Sequence, residues 1–161
     1  MKLIRFSLLL YCFCVLSCLS GCNKNKNPDG RLDVNGTITF NGSPISSLGT
    51  YTIAFEPIDD PSSGPVSGNI NWRTGEYSCT MHDGLKPGKY RVKFVAMAQY
   101  EKRTKKPAPP DFEEQDLVKT GYFVSLLPPD FNETNVVEFE AVKGKKNVFD
   151  YDLKTDYQPI P

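Results

Sequence analysis

Residues 83–94, Asp83-Gly84-Leu85-Lys86-Pro87-Gly88-Lys89-Tyr90-Arg91-Val92-Lys93-Phe94, decide the fold class of this chain. Two turn dipeptides, Asp83-Gly84 and Pro87-Gly88, stop whatever precedes them. Tyr90, Val92 and Phe94 then alternate with Arg91 and Lys93, the period of two that gives a strand one apolar face and one wet face. Turns followed by short alternating runs recur in both directions. Upstream, Val34, Gly36, Ile38 and Phe40 share a parity and end at Asn41-Gly42, a pair that tolerates positive φ and signals a tight turn. Tyr51, Ile53 and Phe55 line a second strand, which stops at Pro57 and the loop 59–65. Val66 to Trp72 and Glu76 to Thr80 flank Arg73-Thr74-Gly75, which reads as a short hairpin turn. Downstream, Val137, Phe139 and Ala141 alternate with Glu138 and Glu140. After the turn Lys143-Gly144-Lys145-Lys146-Asn147, the residues Phe149, Tyr151 and Leu153 alternate with Asp150 and Asp152. No segment sustains a helical period. Roughly six or seven short strands separated by Gly/Pro turns predict a single all-β sandwich. Its expected core holds Ile38, Phe55, Tyr77, Tyr90, Val92, Phe94, Phe139, Tyr151 and Leu153.

One stretch, 99–116, breaks the pattern. Lys102, Arg103, Lys105 and Lys106 are followed by Pro107-Ala108-Pro109-Pro110, then by Asp111, Glu113, Glu114 and Asp116. Prolines remove ladder donors, so the stretch is expected to be a long insertion between strands rather than a central strand. Clustered cations raise the local potential and attract anions. Lys102, Arg103, Lys105 and Lys106 are therefore the candidate partner-contact residues, and the carboxylates that follow could neutralise them within the same loop.

The N-terminus carries a different signal. Lys2 and Arg5 precede an apolar run, Phe6 to Leu19, that closes on Leu19-Ser20-Gly21-Cys22. The run falls short of the ~20 apolar residues a spanning helix needs and has the layout of a secretory signal. Leu-Ser-Gly-Cys resembles the lipobox of bacterial lipoproteins at every position. That resemblance implies a signal peptide over 1–21, cleavage before Cys22, and lipid on the Cys22 thiol and its new amine. Residues 23–30 are polar and read as a flexible tether that reaches about 25–30 Å when extended. Cleavage would remove Cys12, Cys14 and Cys18, so of five cysteines only Cys22 and Cys79 remain, and Cys79 is expected to be a buried, reduced thiol. It would also remove Lys2 and Arg5 from 19 basic residues, leaving 17 against 19 acidic, a net charge of −2. That balance offers nothing for nucleic acid, which needs a concentrated basic surface.

Gly36-Thr37-Ile38-Thr39-Phe40-Asn41-Gly42-Ser43-Pro44-Ile45 resembles the opening G-x-V-x-x-x-G-x-P-L of carboxypeptidase-regulatory-like (transthyretin-like) β-sandwich domains. Thr74-Gly75-Glu76-Tyr77 is similar to their x-G-x-Y strand start, and Gly84 to Val92 to their L-x-P-G-x-Y-x-V. Pro129 to Thr134, and Gly144 through Phe149 to Leu153, resemble the ending of small bacterial lipoproteins built on this domain. The resemblance implies a seven-stranded Greek-key sandwich over 31–156, with the long loop 99–116 and a C-terminal tail 157–161. It implies no activity, since a fold alone carries none and most members are accessory or binding modules. The hydroxyisourate hydrolases of the group use several histidines, and this chain has His82 alone. Adhesin relatives that form Lys–Asn isopeptide bonds need a lysine on the first strand, and none occurs between Lys26 and Lys86.

The remaining polar features read as turn chemistry. His82-Asp83 begins a turn. Asp59-Asp60 and Glu113-Glu114 lack the alternating oxygen ligands of a calcium loop. Asn35-Gly36-Thr37, Asn41-Gly42-Ser43 and Asn132-Glu133-Thr134 match the glycosylation pattern by chance. Neither a cofactor nor a metal is implied. The expectation is a non-enzymatic module of the cell envelope, held to a bacterial membrane by lipid on Cys22 and facing the periplasm or exterior. It would bind or scaffold an envelope protein or glycan through the 99–116 loop or an exposed sheet edge. Two alternatives stay open: an accessory domain of a carbohydrate- or peptide-processing system, and a structural protein that self-associates through a sheet edge.

Overall fold

The computed structural model describes residues 30–44, 48–108 and 121–157. The expected signal peptide, Cys22, tether residues 23–29, the acidic part of the 99–116 loop and the tail from 158 onward lie outside them. Among the described residues the chain is all-β, arranged in two sheets. The strands are β1 (Val34–Phe40), β2 (Gly49–Pro57), β3 (Val66–Asn69), β4 (Glu76–Cys79), β5 (Gly88–Glu101), β6 (Gly121–Ser125), β7 (Val137–Ala141), β8 (Asn147–Val148) and β9 (Tyr151–Leu153). One α-helical turn, α1 (Phe131–Thr134), and 3-10 turns at Pro61–Ser63 and Met81–Asp83 interrupt them.

In the first sheet β1 is central, with β4 antiparallel on one side and β8 and β9 parallel on the other. From Val34↔Asn147 to Ile38↔Tyr151 both chains advance four residues, so β8 and β9 are one interrupted lane with no residue inserted. At the interruption the Phe149 N–H donates to the Asn35 carbonyl at 3.0 Å. The Asp150 carboxylate takes the Thr37 N–H at 2.7 Å. The Phe149 carbonyl is thereby turned over Gly36 and accepts the Tyr77 hydroxyl at 2.9 Å. A Cβ on Gly36 would lie 1.9 Å from that oxygen, so only glycine fits there.

The second sheet runs β3-β2-β5, and both β6 and β7 pair along the far side of β5. β7 faces residues 88–92 and β6 faces 97–101. Between them the Ala96 carbonyl accepts the Leu126 N–H. The Asn132 side chain accepts the Phe94 N–H at 2.8 Å and donates to the Phe94 carbonyl at 2.9 Å. One amide group thus stands in for a residue of strand, which satisfies backbone groups that burial would otherwise leave costly. The third glycosylation-like triplet therefore has a structural reason.

The two sheets meet over a common core. Val34, Ile38, Tyr77, Cys79 and Leu153 from the first pack with Tyr51, Ile53, Phe55, Tyr90, Val92 and Phe94 from the second. Phe55 is the hub, its ring 5.6 Å from Phe139 and 6.1 Å from both Tyr77 and Phe149. Seven of the nine expected core residues are buried; Phe139 and Tyr151 are half-buried at the margin. Tyr151 still stacks on Phe94, with centroids 5.2 Å apart.

The turns form where expected but lead elsewhere. Asn41 (φ 50) and Gly42 (φ 82) close a tight turn in which Phe40 and Ser43 exchange backbone bonds. The chain then crosses to the other sheet instead of pairing back on β1. Arg73-Thr74-Gly75 is likewise a corner, not a hairpin: β3 pairs with β2, and β4 with β1. Gly75 (φ 76) packs so closely that an added Cβ would lie 2.4 Å from the Ile38 carbonyl oxygen.

Candidate functional site

β5 is the longest strand, and its far end carries the expected contact residues. The reading of 99–116 as a loop from its first residue needs correction, because Gln99, Tyr100 and Glu101 continue β5. Lys102 to Lys106 form a tight reversal. The Glu101 carbonyl accepts the Lys105 N–H at 2.9 Å, the Glu101 N–H donates to the Lys106 carbonyl at 3.0 Å, and Lys105 takes φ 55. The Thr104 hydroxyl donates to the Glu101 carboxylate at 2.8 Å. The returning segment lies beside β5, with Tyr100 opposite Pro107 and the Ala108 N–H on the Gln99 carbonyl at 2.8 Å. Bonds flank the Tyr100–Pro107 pair without joining it, so the donor that proline lacks is not needed. That is why Pro107 can still lie beside the sheet here.

Lys102, Arg103, Lys105 and Lys106 are all exposed at this tip, and no ion pair among the described residues involves them. Below the tip sits a small second core of Ala98, Tyr100 and Val124, with Tyr122 packed against it. The Tyr122 hydroxyl there is buried and has no hydrogen-bond partner among the described residues.

The opposite end of β5 begins at Gly88, about 43 Å away at ~3.3 Å per residue. The described chain starts at this end. Leu32 and Leu85 exchange two backbone bonds, of 2.6 and 2.9 Å. The Arg31 guanidinium donates to the Gly84 carbonyl at 2.9 Å. Beside them the turn from β7 to β8 is held by the buried Asn147 side chain. It accepts the Val142 N–H at 2.8 Å and donates to the Val142 and Lys145 carbonyls, each at 3.3 Å. Arg31, Lys145, Lys146, Asp33 and Asn147 line a shallow depression of about 370 Å³. The sequence gives Lys143 to Asn147 as a turn, but pairing it with Arg31 requires knowing that β8 lies next to β1.

A second depression, of about 550 Å³, lies at the tip end beside the Asn41-Gly42 turn and is lined by Asp152 and Asp156. The Asp152 carboxylate accepts the Gly42 N–H and the Thr39 hydroxyl, each at 2.8 Å. These bonds hold Asp152 below the usual carboxylate range, chiefly the one from Gly42. Its polar groups are engaged in tying down the β1 turn.

The isolated candidates have structural explanations. Cys79 is a free thiol, buried against the inward-facing Gly68. Burial, and secondarily the Asp83 carboxylate, push it up to about 11. Its contribution to stability is therefore complete below the unfolded value near 9 and is lost as pH climbs through about 11. Burial also raises Tyr77 strongly. His82 and Asp83 are exposed in their 3-10 turn. Asp60 bonds Ser62, and Asp59 accepts the Lys89 N–H. Among the described residues no three His, Cys, Asp or Glu side chains converge as metal ligands, and no helix is long and apolar enough to cross a membrane.

No family model, no curated protein and no solved structure matches this chain.

Proposed function

We propose that this chain is a lipid-anchored module of the cell envelope whose sandwich binds a partner through the cationic tip at Lys102, Arg103, Lys105 and Lys106. The observation that carries the reading is where the tip lies. Four exposed cations, with no ion pair among the described residues, stand at the end of the longest strand, remote from Gly30, where the tether would join. Binding residues concentrate on turns held by a rigid scaffold, and this turn is fixed by three hydrogen bonds to Glu101. Anchoring rests on Leu19-Ser20-Gly21-Cys22, with Cys22 as the lipidated residue. The role is binding rather than catalysis, and the favoured partner is an acidic surface of an envelope protein or glycan.

The strand arrangement supports the transthyretin-like resemblance. The nine strands occupy seven lanes once β6 with β7, and β8 with β9, are each taken as one. The lane order is β4-β1-β8/β9 over β3-β2-β5-β6/β7, with repeated crossings between sheets as in a Greek key.

Chemical crosslinking in intact envelopes tests the binding reading. Reversing the four cations to glutamate should abolish most of the crosslinked product and its salt dependence, while the thermal unfolding midpoint stays unchanged. Undiminished capture at low salt by the reversed chain overturns it.

A further inference from the structure

We infer that the end of the sandwich formed by Arg31, Lys143, Lys145 and Lys146 is a docking surface for the anionic phosphate headgroups of the membrane to which the chain is tethered. The inference rests on the anchored reading above and specifies which face of the domain meets the bilayer.

Three observations converge on this end. The first is charge. Arg31, Lys145 and Lys146 line one depression in which Asp33 is the single carboxylate, and on the adjoining turns Lys143 and Lys86 are exposed alongside Asp83 and Asp59. The second is construction. The lysine turn is held from inside by Asn147, one of the few polar side chains buried in the domain, and Gly144 takes φ 80 to complete it. Arg31 is held by the Gly84 carbonyl. The cations are presented from fixed backbone, so little ordering is needed on contact. The third is chain geometry. Residues 22–30 span at most about 30 Å and join the fold at Arg31, within the depression itself. Headgroups can therefore lie within the ~8 Å over which surface charges act at physiological salt. With this end down, the 102–106 tip stands about 43 Å away along β5, far outside that range and free for a partner. Each basic side chain next to an anionic bilayer strengthens contact roughly five-fold.

The test uses the processed full chain, reconstituted into vesicles of phosphatidylcholine alone or with about a third phosphatidylglycerol. Lysines are acylated briefly with a water-soluble reagent and read individually by mass spectrometry. Labelling of Lys145 and Lys146 should fall roughly five-fold in the anionic vesicles, with Lys102, Lys105 and Lys106 unchanged. In the Lys145→Glu/Lys146→Glu chain, the accompanying protection of Lys143 and Lys86 should disappear. Inorganic phosphate added to the zwitterionic vesicles should protect nothing. Protection by phosphate alone assigns the depression to a free anion and overturns the membrane contact. Equal labelling in both vesicles, or protection of the 102–106 lysines instead, also overturns it. Sedimentation of the same samples separates the two readings. A chain that pellets with unprotected lysines defeats the contact and spares the anchor, whereas a chain left in the supernatant defeats both.

Discussion

The two basic ends of this sandwich have similar composition and opposite construction. At the tip, Lys102 to Lys106 are contiguous in sequence, and the turn is held by the backbone and side chain of one neighbour, Glu101. At the other end the cations come from the two extremes of the described chain. They meet because β8 runs parallel to β1, and a buried asparagine fixes their turn. A local cluster can be added to a sheet by lengthening one strand. A cluster assembled from distant residues requires the whole fold to be in place. The first kind is free to vary with a partner, and the second is tied to the integrity of the core.

Changes of graded severity sharpen that contrast. The largest effect is expected from Phe94→Ala. Phe94 is 2% exposed and stacks on Tyr151 between the sheets. Its truncation should cost about 3–5 kcal/mol in urea unfolding and dissolve both ends together. A loss under about 1 kcal/mol would mean that the sheets are not joined there. Asn147→Ala comes next. It strips the Val142 N–H and two carbonyls of their partners, at a cost of about 2–3 kcal/mol. Amide exchange should accelerate at Val142 and leave Glu101 and Lys105 unchanged; equal acceleration at both ends would erase the distinction. The smallest effect belongs to the tip. Lys105 holds φ 55, a conformation glycine adopts freely, so Lys105→Gly should shift stability by no more than about 0.5 kcal/mol, in the stabilising direction. A destabilisation beyond that in the same urea titration would show that the tip, too, is coupled to the core.

The sequence discloses these two ends unequally. Alternation at Tyr90, Val92 and Phe94 makes β5 legible because one face of it is buried. Asn41-Gly42 and Thr74-Gly75 are legible as turns for the same local reason, positive φ. Their destinations are not, because turn chemistry sets the backbone over four residues and says nothing of which sheet the next strand joins. The cationic run at 102–106 stands out, yet the prolines after it hide the continuation of β5, since Pro107 is harmless only at an unbonded pair. Asn132 and Asn147 give no advance sign of their roles. An asparagine that replaces strand backbone looks like one in any loop, and the triplet around Asn132 reads only as a chance match to a glycosylation pattern. The depression at Arg31 was invisible because its cations are more than a hundred residues apart in sequence.

The parallel pairing of β1 with β8 and β9 also has a kinetic consequence. The central strand of the first sheet emerges early from the ribosome and lacks one neighbour until residue 153 has been made. Contacts of such long sequence separation make folding slow, on the order of milliseconds to seconds for all-β domains. A partly synthesised chain therefore cannot close its own sheet. On the anchored reading proposed above, in which the chain crosses a membrane before it folds, that delay keeps the nascent chain loose enough for the translocation channel. It also exposes the bare edge of β1 to any other extended chain nearby in the meantime.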